Sequence, residues 1–259
     1  MISVDVLCDE LGISPKNARL LMQYQFDKDS FNLLQKHLKL GLLDLQSNRV
    51  TTDVILPNLD HFPTVAQSIA HYHTHGLQAI EKNQVAMIIL NGGMATRFGG
   101  KVKGIVEILP NMSFLGYKIR RCLPYAHHIP IFIMNSFATA NDTKKHLEAH
   151  HYFSYPQHQI HLFDQTISLR LTQTGDIFRD LHGEPSFYAP GHGDLLYCLS
   201  KVTGWRDFTA RGGKYAFICN VDNIAATPAP FIIGAHIALN QSITVEVIDR
   251  HPGDHGGAP

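Results

Sequence analysis

Residues 85–104, VAMIILNGGMATRFGGKVKG, decide how the chain is read. The stretch opens with six consecutive apolar residues, Val85–Leu90, the length and character of a strand buried on both faces. It passes at once into Asn91, Gly92 and Gly93, where glycine lets the backbone turn tightly and aim N–H groups at an anion. Arg97, Lys101 and Lys103 follow in the same loop and offer a planar guanidinium and two point charges to phosphate oxygens. A strand, a glycine turn and cations in this order suit a nucleoside triphosphate. Two commoner phosphate motifs do not fit. With Gly100 and Lys101 in register, G-x-x-x-x-G-K-[ST] would need Gly in place of Ala95 and a hydroxyl in place of Val102. The fingerprint G-x-G-x-x-G is broken by Met94, and the next strand ends in Asn135–Ser136 instead of a ribose-binding acid, so NAD is disfavoured.

Working outward, residues 129–136 (IPIFIMNS), 159–165 (QIHLFDQ), 214–220 (KYAFICN, running into VDN) and 242–250 (SITVEVIDR) read as four further strands. Helices are expected over 113–125, 139–149, 194–208 and 229–239. Strands alternating with helices of this length imply crossover connections and a mainly parallel α/β sheet flanked by helices. Upstream, residues 1–50 carry helical spacing, with Leu20, Leu21, Phe31, Leu34 and Leu38 as core. Asp29 or Ser30 is expected to cap the second helix, and Gly41 follows its end. Pro57 and Pro63 mark a linker, and residues 64–82 form another helix. The expected organisation is an N-terminal helical segment, 1–82, packing on a core, 83–259.

The balance of 22 basic against 22 acidic residues leaves no excess to grip a nucleic-acid backbone, so nucleic acid is not an expected partner. No apolar run approaches the ~18 residues a membrane span needs. Cys8, Cys122, Cys198 and Cys219 are widely separated, which disfavours a disulfide scaffold or thiolate zinc site. The first residues carry acids where a secretory signal wants lysine or arginine, and a cytoplasmic location is expected. The 17 histidines include His71 and His75 at i, i+4, but no H-E-x-x-H accompanies them, and the stretch reads as polar helix surface. In open α/β sheets ligands bind beyond the carboxyl ends of the strands. NGGMATRFGG, NSFAT, FDQ and NVDN all follow strands, and PGHGD precedes a helix that can face the same crevice.

In this order LNGGMATRFGG, MNSFAT, PGHGD and NVDN resemble the UDP-glucose pyrophosphorylase family, and GGMATRFGG followed by KGIVEI and SFLG is similar to its bacterial members. The resemblance runs from about residue 80 to the last residue, and more loosely through the N-terminal helices. It implies a Rossmann-like, GT-A-type nucleotidyltransferase making UDP-glucose and pyrophosphate from UTP and glucose 1-phosphate with Mg²⁺. It also implies roles by position. The backbone of Leu90, Asn91, Gly92 and Gly93 lines the nucleotide, and Arg97 stands beside the leaving phosphates. Lys103 matches the catalytic lysine, while Lys101 is nearer to a variable position. Gln165 reads uracil with Gly191, His192 meets the sugar phosphate, and Asp222 holds Mg²⁺ with Asn220 nearby. Ala95 stands where many relatives have Gly, and the spacer to Lys103 is one residue shorter than in the eukaryotic pattern. Because relatives continue well past the position of Pro259 with a second lysine, a catalytically impaired, truncated nucleotide-binding fragment is one alternative. A UDP-N-acetylhexosamine pyrophosphorylase is another, although PGHGD favours the glucose type.

Overall fold

A computed structural model describes residues 3–43, 49–53, 55, 63–95, 100–248 and 253. Three short helices come first: α1 (Val4–Leu11), α2 (Pro15–Gln23) and α3 (Lys28–Lys39). Ser3 and Ser14 cap the first two. The cap of α3 is Asp27, not the expected Asp29 or Ser30: its carboxylate accepts from Ser30 N at 3.0 Å and Ser30 Oγ at 2.7 Å. A capping side chain serves the amide three residues on, so Ser30 is the residue served. Those bonds from Ser30 hold the Asp27 carboxyl below the usual range. Gly41, at φ 68°, ends the helix in the left-handed conformation that glycine adopts without strain. Leu7, Leu11, Ala18, Leu21 and Phe31 form a core with Ile167 and Leu169, which fastens these helices to the later part of the chain. Leu20, Leu34 and Leu38 are only partly buried.

Helix α4 (Val65–Glu81) begins with a reciprocal capping box between Thr64 and Gln67. Pro63 precedes it, and Pro57 lies outside the described residues. The chain then runs β1 (Val85–Leu90), the small antiparallel pair β2 (Met94–Ala95) and β3 (Lys101–Val102), and the hairpin β4 (Glu107–Leu109) and β5 (Met112–Ser113). It continues through α5 (Phe114–Arg121), β6 (Ile131–Asn135), α6 (Ala140–Ala149) and β7 (Ile160–Asp164). An antiparallel excursion, β8 (Ser168–Leu169) with β9 (Phe187–Tyr188), leads to α7 (Leu195–Ser200), α8 (Thr203–Ala210), β10 (Tyr215–Asn220) and α9 (Pro230–Ala238).

The main sheet has the order β10-β1-β6-β7, and every pair is parallel. Strands β1 and β6 are buried throughout, as their unbroken apolar runs require. On one face Val85, Met87, Ile89, Ile131 and Ile133 pack against Ile80, Leu115, Ile119, Leu147 and Ile233 of the helices. On the other, Ala86, Ile88, Phe132 and Met134 meet Leu195, Leu199 and Phe208. The chain steps outward from β1 through β6 to β7, then crosses back to place β10 on the far side of β1. The strand order therefore reverses between β1 and β10, and the crevice outside their carboxyl ends is where such sheets bind ligands.

Two expectations are corrected. The single helix over 194–208 is broken after Ser200 because Val202 takes an extended conformation, which lets Val202 and Trp205 both pack on the Phe132–Phe208 cluster. The fifth strand over 242–250 does not form among the described residues. A strand exists through its ladder, and 242–248 pairs with nothing described, leaving Ile243, Val245, Val247 and Ile248 exposed. Residues 249–250 lie outside the described residues.

Helices α4 and α9 meet backbone to backbone at Gly76 and Gly234. A Cβ on Gly76 would overlap the Pro230 carbonyl, and one on Gly234 the Tyr72 carbonyl. Neither obstacle is a side chain that can swing away. Gly234→Ala should therefore cost about 1–3 kcal/mol through overpacking, read as a lower midpoint in chemical denaturation.

Candidate nucleotide-binding site

The sheet's ladders set the site's floor. Leu90 O accepts from Val221 N at 3.1 Å, and Asn91 N donates to Met134 O at 2.8 Å, so these backbone groups are spent on holding strands together. The next two amides, of Gly92 and Gly93, have no acceptor among the described residues. The carbonyls of the same glycines are anchored: Gly92 O accepts from Ser136 Oγ at 2.9 Å, and Gly93 O from Lys103 N at 3.3 Å. The loop is thus fixed by its acceptors while its donors stay available, the arrangement an anion requires.

Asn91 itself is fully buried and faces away from a ligand. Its Nδ2 donates to Asn135 Oδ1 and Thr143 Oγ1, both at 2.9 Å, and joins β1, β6 and α6 behind the loop. Its Oδ1 lies so close to the Gly104 Cα that no side chain fits there. That contact is the physical reason for the Lys103–Gly104 pair. Lys103 itself lies over Gly93, bonded to its carbonyl, with its Nζ 2.9 Å from Asp222 Oδ2 across the mouth of the crevice.

A second cluster joins the end of β7 to the PGHGD loop. Gln165 is nearly buried, with its Oε1 accepting from Gly191 N at 3.3 Å and its Nε2 against Gly92. Gly191 sits at φ 98°, ψ −156°, a region open in practice only to glycine. Asp194 Oδ2 accepts from Thr166 N at 3.0 Å and from the Thr166 hydroxyl, pinning the loop at its other end. The glycine loop, Gln165–Gly191 and Lys103–Asp222 therefore surround one crevice. His192, on the PGHGD loop, and Asn220, the last residue of β10, are exposed beside it, with no side-chain hydrogen bond among the described residues. Arg97 lies outside the described residues. The braces Ser136, Thr166 and Asp194 escaped the sequence reading, although all three sit inside or beside the quoted motifs.

No group of three His, Cys, Asp or Glu among the described residues could hold a metal. Asp222 instead offers one half-exposed carboxylate at the switch point, which would suit a Mg²⁺ taking its remaining oxygens from bound phosphates. The residues fit that use of the ion and not an all-protein cage.

A parallel α/β sheet with a glycine loop and a lysine–aspartate pair at its switch point has the nucleotidyltransferase-like fold of UDP-sugar pyrophosphorylases. The family model described as UTP--glucose-1-phosphate uridylyltransferase matches residues 42–258, and the chain belongs to this family. A UTP--glucose-1-phosphate uridylyltransferase of Pyrus pyrifolia is 33% identical over 186 residues, covering 68% of this chain and 38% of that protein. The Musa acuminata enzyme of the same name is 30% identical over 178 residues, 64% of this chain and 37% of its own length. Among solved structures, a Trypanosoma brucei uridine diphosphate N-acetylglucosamine pyrophosphorylase overlays with a TM-score of 0.71 at 23% identity, covering 91% of this chain and 52% of its own. A UDP-glucose phosphorylase from the same organism gives 0.61 at 19% identity, with 92% and 48% covered. At these identities the structures speak for the fold alone. The chain spans little more than a third of the length of the curated relatives and about half that of the solved structures.

Asp164, beside Gln165, is held in a half-buried position where loss of water pushes its carboxyl up to about 6. The folded chain thus binds a proton more tightly than the unfolded one. Stability from this group is complete below its ordinary value near 4 and is lost as pH rises through about 6. Asp164→Asn should flatten that slope and raise unfolding free energy at pH 7 by up to about 2–3 kcal/mol, read by denaturation at pH 4.5 and 7.

Proposed function

We propose that this protein transfers a uridylyl group from UTP to glucose 1-phosphate, giving UDP-glucose and pyrophosphate. The observation that carries the reading is the Lys103–Asp222 pair facing the free amides of Gly92 and Gly93 across the switch point. Residues 83–259 would supply the nucleotide core and 1–82 the helical segment packed on it. Four free thiols, and no described helix long and apolar enough to cross a membrane, support work in a reducing cytoplasm.

The chemistry asks for positioning and charge more than for covalent help. A phosphate oxygen of the sugar phosphate attacks the α-phosphorus in line while pyrophosphate departs. The nucleophile is already an anion, so no general base is needed. The Gly92 and Gly93 amides receive phosphate oxygens, and Lys103 faces the charge that builds as pyrophosphate leaves, with Arg97 beside it. The Gln165 Nε2 gives a uracil carbonyl a donor, held in orientation by the Gly191 bond to Oε1. His192 meets the sugar phosphate, and Asn220, two residues before Asp222, contributes to substrate binding. Asp222 would hold Mg²⁺, which when bound neutralises the departing pyrophosphate.

The test is formation of UDP-glucose and pyrophosphate by the purified chain, with glucose 1-phosphate and N-acetylglucosamine 1-phosphate run in parallel. Preference for the amino sugar would move the reading to a UDP-N-acetylhexosamine pyrophosphorylase. Binding of UTP–Mg²⁺ in calorimetry without turnover would mark a nucleotide-binding part that needs the rest of a family-length chain. In a form that turns over, Lys103→Ala should lower the rate by about 10²–10³ with an unchanged melting temperature. Gln165→Ala should narrow the preference for UTP over CTP, because alanine offers no donor or acceptor to the base. An unchanged preference would place base recognition elsewhere.

A further inference from the structure

Helix α5 turns a stripe of Leu115, Lys118, Ile119 and Cys122 toward the core, and all four are fully buried. Helical spacing alone calls for an apolar residue at the second position. Lys118 is wholly removed from water, and no carboxylate lies within ion-pair distance among the described residues. An ammonium without a paired anion is the costliest group to bury, so its presence calls for an account.

A hydrogen bond to the backbone supplies that account. Lys118 Nζ donates to the carbonyl of Ala226, which belongs to the loop that follows β10. That loop opens with Asp222 and closes on itself where Ala226 N bonds to Asn223 Oδ1 at 3.3 Å. At the surface, Asp222 meets the half-exposed Lys103. Beneath, the loop is tied to α5 through Lys118, between the buried thiols of Cys122 and Cys219.

We propose that Lys118 is a positioning residue: its tether to Ala226 holds the loop of residues 221–226 so that the Asp222 carboxylate stands ready for metal-bound triphosphate. The proposal deepens the uridylyl-transfer reading and rests on it. An apolar residue of the same length would fill the space equally well but would let the loop drift, and the metal-dependent part of nucleotide binding would suffer first.

The test compares Lys118→Met, which keeps the bulk and removes the donor, with Lys118→Gln, which keeps a donor on a shorter stem. Leu115→Ala, a cavity in the same stripe, controls for stability. Amide exchange over residues 223–226 should quicken about threefold to tenfold in Lys118→Met, the loss of one hydrogen bond, and less in Lys118→Gln. The gain in UTP affinity on adding Mg²⁺ should shrink in the same order, while Leu115→Ala lowers the melting temperature and leaves that gain intact. Equal losses with and without Mg²⁺, or exchange no faster than in Leu115→Ala, would overturn the proposal. Should Lys118→Met not fold, Lys118→Gln decides by the same two readouts. If the wild-type chain binds no UTP, the transfer reading fails, and the exchange contrast still decides whether Lys118 holds the loop.

Discussion

Strand β1 is hydrogen-bonded along both edges, and its two ladders end level with one another. Leu90 pairs in register with Asn220 on one side and Met134 on the other, and Asn135 pairs with Asp164 one strand further out. Parallel pairing lines up the carboxyl ends of all four strands on one rim of the sheet, so the glycine loop, Gln165 and Asp222 all leave from that rim, and the PGHGD loop reaches it through the Gln165–Gly191 bond. Because the chain returns to place β10 beside β1, the glycine loop and the loop bearing Asp222 become neighbours. Lys103 and Asp222, 119 positions apart, then lie within one hydrogen bond. A slip of β10 along β1 would carry Asp222 away from the lysine and empty the crevice of its opposed charges.

Behind that rim the protein spends buried polar groups, and in front of it exposed ones. Asn91, Asn135, Ser136, Thr139 and Thr143 are all buried and mostly bonded to one another, with Asn91 Oδ1 and Asn135 Nδ2 without partners among the described residues. Such a network adds little stability, since each buried donor or acceptor left unmatched counts against the bonds made. Its effect is geometric: it gives the glycine loop one shape. The Lys103–Asp222 pair is the opposite case. It is half exposed, so it adds at most ~1 kcal/mol to stability and is easily parted when a triphosphate competes for the lysine. A rigid loop behind and a separable ion pair in front suit a site that must admit, neutralise and release a highly charged ligand.

The parts legible in the amino-acid order are those whose cause is local. Val85–Leu90 and residues 131–134 had to be buried strands because each is an unbroken apolar run, and Thr64 had to open a helix because Gln67 can return its bond. The glycine turn was equally plain, since it rests on adjacent residues after a strand. The roles expected of Gln165, His192 and Asp222 came from resemblance, not spacing, because the distances that unite them run through the sheet.

The residue order alone determined the α/β alternation and the motifs that meet at the carboxyl ends of the strands. It could not show that Val202 would break a helix to reach an aromatic cluster, or that residues 242–248 would find no edge to pair with, because both depend on neighbours distant in sequence. Nor could it single out Lys118: on a helical wheel it is one more residue of α5, and only the packed fold shows it sealed from water with its Nζ donating to the Ala226 carbonyl. Local pattern decides which segments form because helices and strands are short-range structures. Tertiary structure decided which charges face each other, because a crossover connection sets that distance and no periodicity records it.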